Sequence, residues 1–393
     1  MKRLSIFFCL QALLAFSFSG CSEDEAETEA IDSPEVPADP DKDEDNSAIS
    51  VTYFGADLSY VNEMEDCGGV YKNAAGEEAD PFVLFEKAGV NLVRVRLWHD
   101  PQWTAYSNFE DVKKTIRRAK LQNMEVLLDF HYSDTWADPE NQVIPKAWEH
   151  IHDINILADS LYNYTYSTLS RLQEEDLLPE IVQVGNEINS EILVFGEATW
   201  PINWERNIQL INSGLKAVDD FSRDHQTEIG TMLHIAQPEN ALWWFEEAEE
   251  NGLAAYDWIG LSYYPVWSDY DMEEIPAAVR ELKQTYGKRV MVVETAYPHT
   301  LEDADSANNN LGTNALISGY EASPEGQRQY LIDLVKNLNE AGAEGLIYWE
   351  PAWISTSCNT LWGQGSHWDN ATFFDAETSK ALPAFDFFDR DNY

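Results

Sequence analysis

Extended and helical patterns alternate along this chain almost without exception. Short runs rich in β-branched and aromatic residues predict strands at Tyr53–Asp57, Asn91–Leu97, Glu125–His131, Ile181–Gly185, Glu228–Ile235, Trp258–Tyr263, Arg289–Glu294 and Gly345–Trp349. Between them, helical periodicity predicts Pro81–Ala88, Glu110–Gln122, Ile156–Glu175, Asn203–Phe221, Glu239–Asn251, Met272–Tyr286 and Pro324–Ala341, with Leu382–Phe388 as a short closing helix. Such alternation favours a parallel sheet with right-handed crossovers, and eight units favour closure into a (β/α)8 barrel. An open doubly wound sheet is the competing architecture. It needs a phosphate loop after the first strand, which Gly55-Ala56-Asp57-Leu58 does not supply.

The strands begin apolar and end polar or aromatic. Asp57, Arg94 with Arg96, Asp129 with His131, Asn186 with Glu187, Tyr263, Glu294, and Trp349 with Glu350 all stand at C-terminal strand ends. In a barrel those ends share one face and converge on one cleft.

Residues 51–393 are expected to form this domain, with no internal repeat or Gly/Ser linker inside it. Residues 1–20 have the pattern of an export signal: Lys2 and Arg3, then an apolar run of about 15 residues, too short to span a bilayer as a helix. The run ends in Phe18-Ser19-Gly20-Cys21, which resembles a bacterial lipobox and implies cleavage before Cys21 and acylation of its thiol. Residues 21–50 hold about a dozen carboxylates against Lys42 and almost no large apolar residue, so a disordered acidic tether is expected. The tether's start, Ser22-Glu23-Asp24-Glu25, is similar to surface-export signals of Gram-negative lipoproteins. An outer-membrane lipoprotein facing the cell exterior is therefore expected, with a periplasm-facing one as the alternative. The formal net charge of −45 repels nucleic acid, anionic lipid surfaces and polyanionic glycans, so a neutral substrate is easier to accept. Cys67 and Cys358 fall in the first and last loops of the barrel, which closure makes neighbours. Sequence leaves open whether they form a disulfide.

Two strand ends carry acids suited to acetal cleavage. Val182-Gln183-Val184-Gly185-Asn186-Glu187 ends the fourth strand and Val290-Met291-Val292-Val293-Glu294-Thr295 the seventh. Breaking a glycosidic bond needs a proton donor to the leaving oxygen and an anion to meet an oxocarbenium-like carbon. Two carboxyls about 5–5.5 Å apart do both with retention of configuration. A single glutamate at a strand end is more often a structural ion pair; the two together, one preceded by Asn, point to catalysis. Glu187 is assigned as acid/base and Glu294 as nucleophile. Arg96, nearer its strand end than Arg94, is expected to keep Glu294 ionised, with Arg94 in a structural salt bridge below. Tyr263 is expected to donate to Glu294, and Asn186 to bond the sugar 2-hydroxyl. Trp98, Trp136, Trp148, Trp267, Trp349, Trp353 and Trp362 stand in the same loops as candidate stacking surfaces, Trp349 foremost.

The motifs Gly55-Ala56-Asp57-Leu58-Ser59, Val93-Arg94-Val95-Arg96-Leu97-Trp98, Leu127-Leu128-Asp129-Phe130-His131-Tyr132-Ser133-Asp134, Val184-Gly185-Asn186-Glu187-Ile188-Asn189, Gly260-Leu261-Ser262-Tyr263-Tyr264-Pro265, Val293-Glu294-Thr295-Ala296-Tyr297-Pro298 and Tyr348-Trp349-Glu350-Pro351-Ala352-Trp353, in that order, resemble the strand ends of glycoside hydrolase family 53, the arabinogalactan endo-β-1,4-galactanases. The resemblance implies a retaining barrel enzyme acting on neutral β-1,4-galactan of pectic side chains, with no catalytic cofactor and with Asp57, Asp129, His131 and Trp349 facing the cleft. The preference for galactose comes from the resemblance alone. It also implies a structural calcium in the loops after strands seven and eight. Asp303, Asp305, Ala307 and Asn309 would supply oxygens, completed by Ser366 and Asp369. As a bare pattern the same segment reads as a solvated acidic loop. Another retaining β-glycanase, such as a mannanase or glucanase, and a non-catalytic glycan-binding lipoprotein are the alternative functions.

Overall fold

A computed structural model describes residues 51–197, 200–361 and 363–393. The signal, Cys21, the acidic tether and Trp362 lie outside the described residues. Eight parallel strands close into a barrel in sequence order: β1 (Tyr53–Asp57), β2 (Leu92–Leu97), β3 (Glu125–Phe130), β4 (Ile181–Val184), β5 (Gly230–Ala236), β6 (Trp258–Ser262), β7 (Arg289–Glu294) and β8 (Gly345–Tyr348). β8 pairs with β1 from Tyr53↔Gly345 to Ala56↔Tyr348, which completes the ring.

Around it run α1 (Val61–Asp66), α2 (Pro81–Ala88), α3 (Phe109–Leu121), α4 (Ile154–Gln173), α5 (Trp204–His225), α6 (Pro238–Glu250), α7 (Ile275–Tyr286) and α8 (Pro324–Ala341). Their limits follow local chemistry. Asp80 caps α2 by accepting from Phe82 N at 2.8 Å, Pro81 fits its first turn, and Gly89 ends it with φ +114°. In α3, Asn108 accepts from Glu110 N and Asp111 N, while Val112, Ile116 and Ala119 bury one face. Two helical expectations are corrected. α1 follows β1 in a stretch the sequence pattern assigns to no helix, because six residues carry too little periodicity to announce one. The closing segment is a 3-10 helix at Pro383–Phe388, packed on α8 and on α2, where Phe388 meets Phe85.

Side-chain parity divides the barrel interior into layers. Leu92, Leu127, Ile181, Met232, Trp258, Met291, Val293 and Ile347 form a dry inner cluster. Gly345 is required there: a Cβ would lie 2.8 Å from both Met291 Cε and Tyr53 Cβ. Toward the C-terminal ends the same inward parity gives Asp57, Arg94, Arg96, Asp129, Gln183, His234 and Ser262, all buried. The polar floor of the mouth is thus a continuation of the core. Cys67 and Cys358 form a disulfide with Cα atoms 5.6 Å apart, joining the loops after β1 and β8.

Candidate active site

Arg94 lies at the centre of the polar floor. Its Nη1 meets Asp57 Oδ2 at 3.0 Å and Glu294 Oε1 at 2.8 Å; its Nη2 donates to Asp129 Oδ2 at 2.9 Å and Asn186 Oδ1 at 2.7 Å. Its Nε donates to Gln183 Oε1 at 3.3 Å. The sequence expectation for the two arginines is therefore reversed. Strand stagger, not distance from a strand's end, sets which residues share a layer. Asp57 pairs in register with Arg94, while Arg96 pairs one step higher with Asp129. Arg96 turns to the β8 side and bonds Glu350 Oε1 at 3.0 Å, with its guanidinium 4.1 Å from the Trp136 ring centroid.

The tyrosine expectation shifts by one residue for the same kind of reason. Side chains alternate after β6, and Ser262 already points inward. Tyr263 therefore points outward and donates to Tyr270 O at 3.3 Å, whereas Tyr264 donates to Glu294 Oε2 at 3.1 Å. A register shift between Leu261 and Ser262 brings Ser262 opposite Glu294.

Glu187 leaves β4 through a tight turn, with Gly185 at φ +85° and Glu187 itself at φ +44°. A Cβ on Gly185 would lie 2.5 Å from Ile188 Cγ2, so that position needs glycine. Ser262 Oγ donates to Glu187 Oε1 at 2.5 Å. One carboxylate oxygen from each of Glu187 and Glu294, and a ring nitrogen of His234, lie within 4.8 Å of one another. Burial first, then the charge of Glu294, pushes the Glu187 carboxyl well above the usual carboxylate range. Burial also raises Glu294, but Arg94 and the Tyr264 hydroxyl favour its anion. Among the described residues no lysine or arginine pairs with Glu187, so its protonated form is the one favoured in the pair.

The other expected residues converge on the same floor. Asp57 Oδ1 accepts from Ser59 Oγ at 2.6 Å. His131 Nδ1 accepts from Ala137 N at 3.0 Å, so its Nε2 carries the proton given to Asp129 Oδ2 at 3.0 Å. Burial lowers its pKa, which keeps this tautomer neutral. Asn186 Nδ2 donates to Ala137 O at 2.8 Å, and among the described residues its second N–H has no other acceptor.

Above the floor opens a cleft of about 860 Å³ bordered by Trp136, Asn189, Gln237, Asn240, Trp267 and Trp349. Trp267 is 52% exposed in the free protein, and Trp353 also borders the cleft. Trp98 and Trp148 instead pack within loops, against Trp136 and Tyr164 respectively. Sequence reasoning missed Ser262, Tyr264, His234, Gln183 and Trp368, whose ring lies 4.7 Å from Trp349. Strand parity counted forward from the inward Trp258 would have found the first two.

The expected metal loops also meet. Asn309 Nδ2 donates to Asp303 Oδ1 at 2.9 Å and Asp369 Oδ1 at 2.7 Å, and Asp305 accepts from Ala307 N at 2.7 Å and Ser366 N at 2.8 Å. Among the described residues no lysine or arginine pairs with these three acids. Burial, then Asp305 and Asp303, pushes Asp369 up to about 6. Asn309 thus bridges Asp303 and Asp369, while Asp305 is held by backbone N–H groups. Ser366 Oγ does not join them, because it donates to Trp353 O at 2.7 Å.

The sequence profile of glycosyl hydrolase family 53 matches residues 53–388. An arabinogalactan endo-β-1,4-galactanase of Cellvibrio japonicus is 57% identical over 342 residues, covering 86% of this chain and 91% of that protein. The catalytic domain of an Ignisphaera aggregans family 53 protein superposes with a TM-score of 0.79 at 32% identity, covering 86% of this chain and 96% of the other. A fungal β-1,4-galactanase structure superposes with a TM-score of 0.74 at 30% identity, covering 86% and 99%.

Proposed function

This chain belongs to glycosyl hydrolase family 53, and from that membership we propose that it cuts β-1,4-galactan internally and with retention of configuration. The observation that carries the chemistry is the approach of Glu187 and Glu294 to within 4.8 Å, with Glu294 ion-paired to Arg94 and burial favouring the protonated form of Glu187. Glu187 gives its proton to the leaving glycosidic oxygen while Glu294 attacks the anomeric carbon. The bond between that carbon and the leaving oxygen breaks, and a covalent glycosyl–Glu294 ester forms. Glu187, now anionic, takes a proton from water as the water oxygen attacks the same carbon. Glu294 departs as a carboxylate. Two inversions leave the β configuration. The remaining N–H of Asn186 is available to the 2-hydroxyl, and Trp349 offers a face to the flat C–H side of a sugar. No cofactor takes part in these steps. A product time course on unbranched β-1,4-galactan, run beside mannan and β-glucan, tests the reading. Galacto-oligosaccharides of several lengths appearing early from galactan alone support it; faster release from either other glycan assigns a different substrate.

The three acids of the β7 and β8 loops support a structural calcium held by Asp303, Asp305 and Asp369. Ala307 and Asn309 stand beside them, and the ion would tie the two loops together. The lipobox ending at Cys21 and the acidic tether support an outer-membrane lipoprotein with its barrel at the cell surface. Metabolic labelling with a clickable fatty acid tests the anchor: label should enter the wild type and not Cys21→Ser. Protease accessibility on intact cells tests which way the barrel faces.

A further inference from the structure

Behind the Glu187 side chain lies a closed ring of hydrogen bonds that the double displacement does not itself require. The Glu187 backbone N–H donates to His234 Nδ1 at 3.3 Å. His234 Nε2 lies 2.9 Å from Ser262 Oγ, and Ser262 Oγ donates to Glu187 Oε1 at 2.5 Å. Direction around the ring is fixed at its first link. Because Nδ1 accepts a backbone N–H, the imidazole proton belongs on Nε2. That proton goes to Ser262 Oγ, and the Ser262 proton goes to Oε1. The Gln183 amide also points at Nδ1, with its Nε2 at 3.1 Å. Asn186 Oδ1 lies 2.9 Å from Nδ1 too, but it already accepts from Arg94 Nη2 and Gln183 Nε2. His234 and Ser262 are both fully buried, and burial drives the His234 pKa well below its usual value, so the ring stays neutral.

We propose that His234 and Ser262 are positioning residues that pin Oε1 of Glu187 and so reserve its other oxygen for the proton passed to and from the leaving group. A carboxylic acid can carry its proton on either oxygen, and only the oxygen facing the cleft serves acid catalysis. A permanent donor at Oε1 disfavours the unproductive form. The same donor stabilises the anion that acts as base in the second half of the reaction. No proton travels through the pair. The inference rests on Glu187 being the acid/base.

The groups facing Glu187 are Glu294 from β7, Arg94 from β2, Asp138 from the loop after β3 and Tyr264 after β6; Arg94 and His131 face His234. None of them replaces the Ser262 bond. In Ser262→Ala the anion loses a hydrogen bond, so the basic limb of kcat/KM should move up by about one pH unit. Turnover of galactan should fall about 10–100-fold. An aryl galactobioside with an activated leaving group needs little proton donation and should lose less than about threefold in kcat/KM. Ser262→Thr, which keeps the hydroxyl, should restore the limb. His234→Gln, whose amide can donate to Ser262, should shift it less than the alanine variant. An unmoved limb with equal losses on both substrates would reduce the pair to packing. Nitrogen-15 NMR of the wild type gives a reading independent of folding in the variants: a proton on Nε2 of His234 is expected, and one on Nδ1 overturns the ring's direction. Glu187→Ala separates the two claims. If it retains turnover of galactan, the acid/base assignment itself fails; if it does not, a null Ser262→Ala result sinks only this inference.

Discussion

A guanidinium removed from water survives only if its surroundings replace the lost solvation. Burial pulls the pKa of Arg94 down, but Asp129, Glu294 and Asp57 together outweigh that and raise it. Arg94 therefore stays charged and favours the anion of Glu294 beside Glu187. The tyrosine pair tests the local geometry. Tyr264→Phe removes a hydrogen bond to a charged oxygen and should cost about 10–100-fold in kcat. Tyr263→Phe should leave kcat within about twofold, because its hydroxyl points away from the acids and donates to Tyr270 O. Equal losses would mean that the outward and inward positions had been exchanged. The acid pair makes a second prediction. The negative charge of Glu294 helps to raise Glu187, so activity is present while Glu187 keeps its proton and falls as pH climbs through its elevated pKa. Glu294→Gln removes that charge, and the Glu187 titration followed by carbon-13 NMR should move to lower pH. A move upward would contradict the coupling. The acids themselves were legible in the sequence because each ends an apolar strand. Their partners were not, since choosing Arg94 over Arg96, or Tyr264 over Tyr263, requires the stagger between strands.

Two segments, after β1 and β8, carry a covalent tie of the barrel domain. The Cys67–Cys358 link closes a loop across a sequence separation of 291 residues and restricts the unfolded chain strongly. Replacing both cysteines by serine should lower unfolding free energy by about 2–4 kcal/mol in urea titration. An unchanged midpoint would mean that the loops are held without it. The loops after β7 and β8 meet through Asn309, Asp303 and Asp369. With calcium bound there, excess chelator should lower the melting temperature, and adding calcium back should restore it. A melt indifferent to chelator, with no metal in the purified protein, would leave these acids as a solvated loop. At this scale the strands were legible almost to the residue, because buried parallel strands are continuous apolar runs with sharp ends. The six-residue α1 and the 3-10 end of the chain were not, because their order comes from tertiary contacts such as Phe85 with Phe388.

Across the whole molecule, barrel closure is what turns separated strand ends into a single cleft. The order β1 to β8 was readable from alternation alone, and closure follows from the eightfold count. The seven ordered motifs carried the family, whereas the sugar preference rests on likeness to relatives and not on a derivation from these residues. The net charge of −45 suits a neutral polysaccharide. Proton NMR of the first product released from unbranched β-1,4-galactan tests the pairing of Glu187 with Glu294 most directly. New reducing ends should appear in the β form before mutarotation, whereas initial α ends would mean that water, not Glu294, attacks the anomeric carbon.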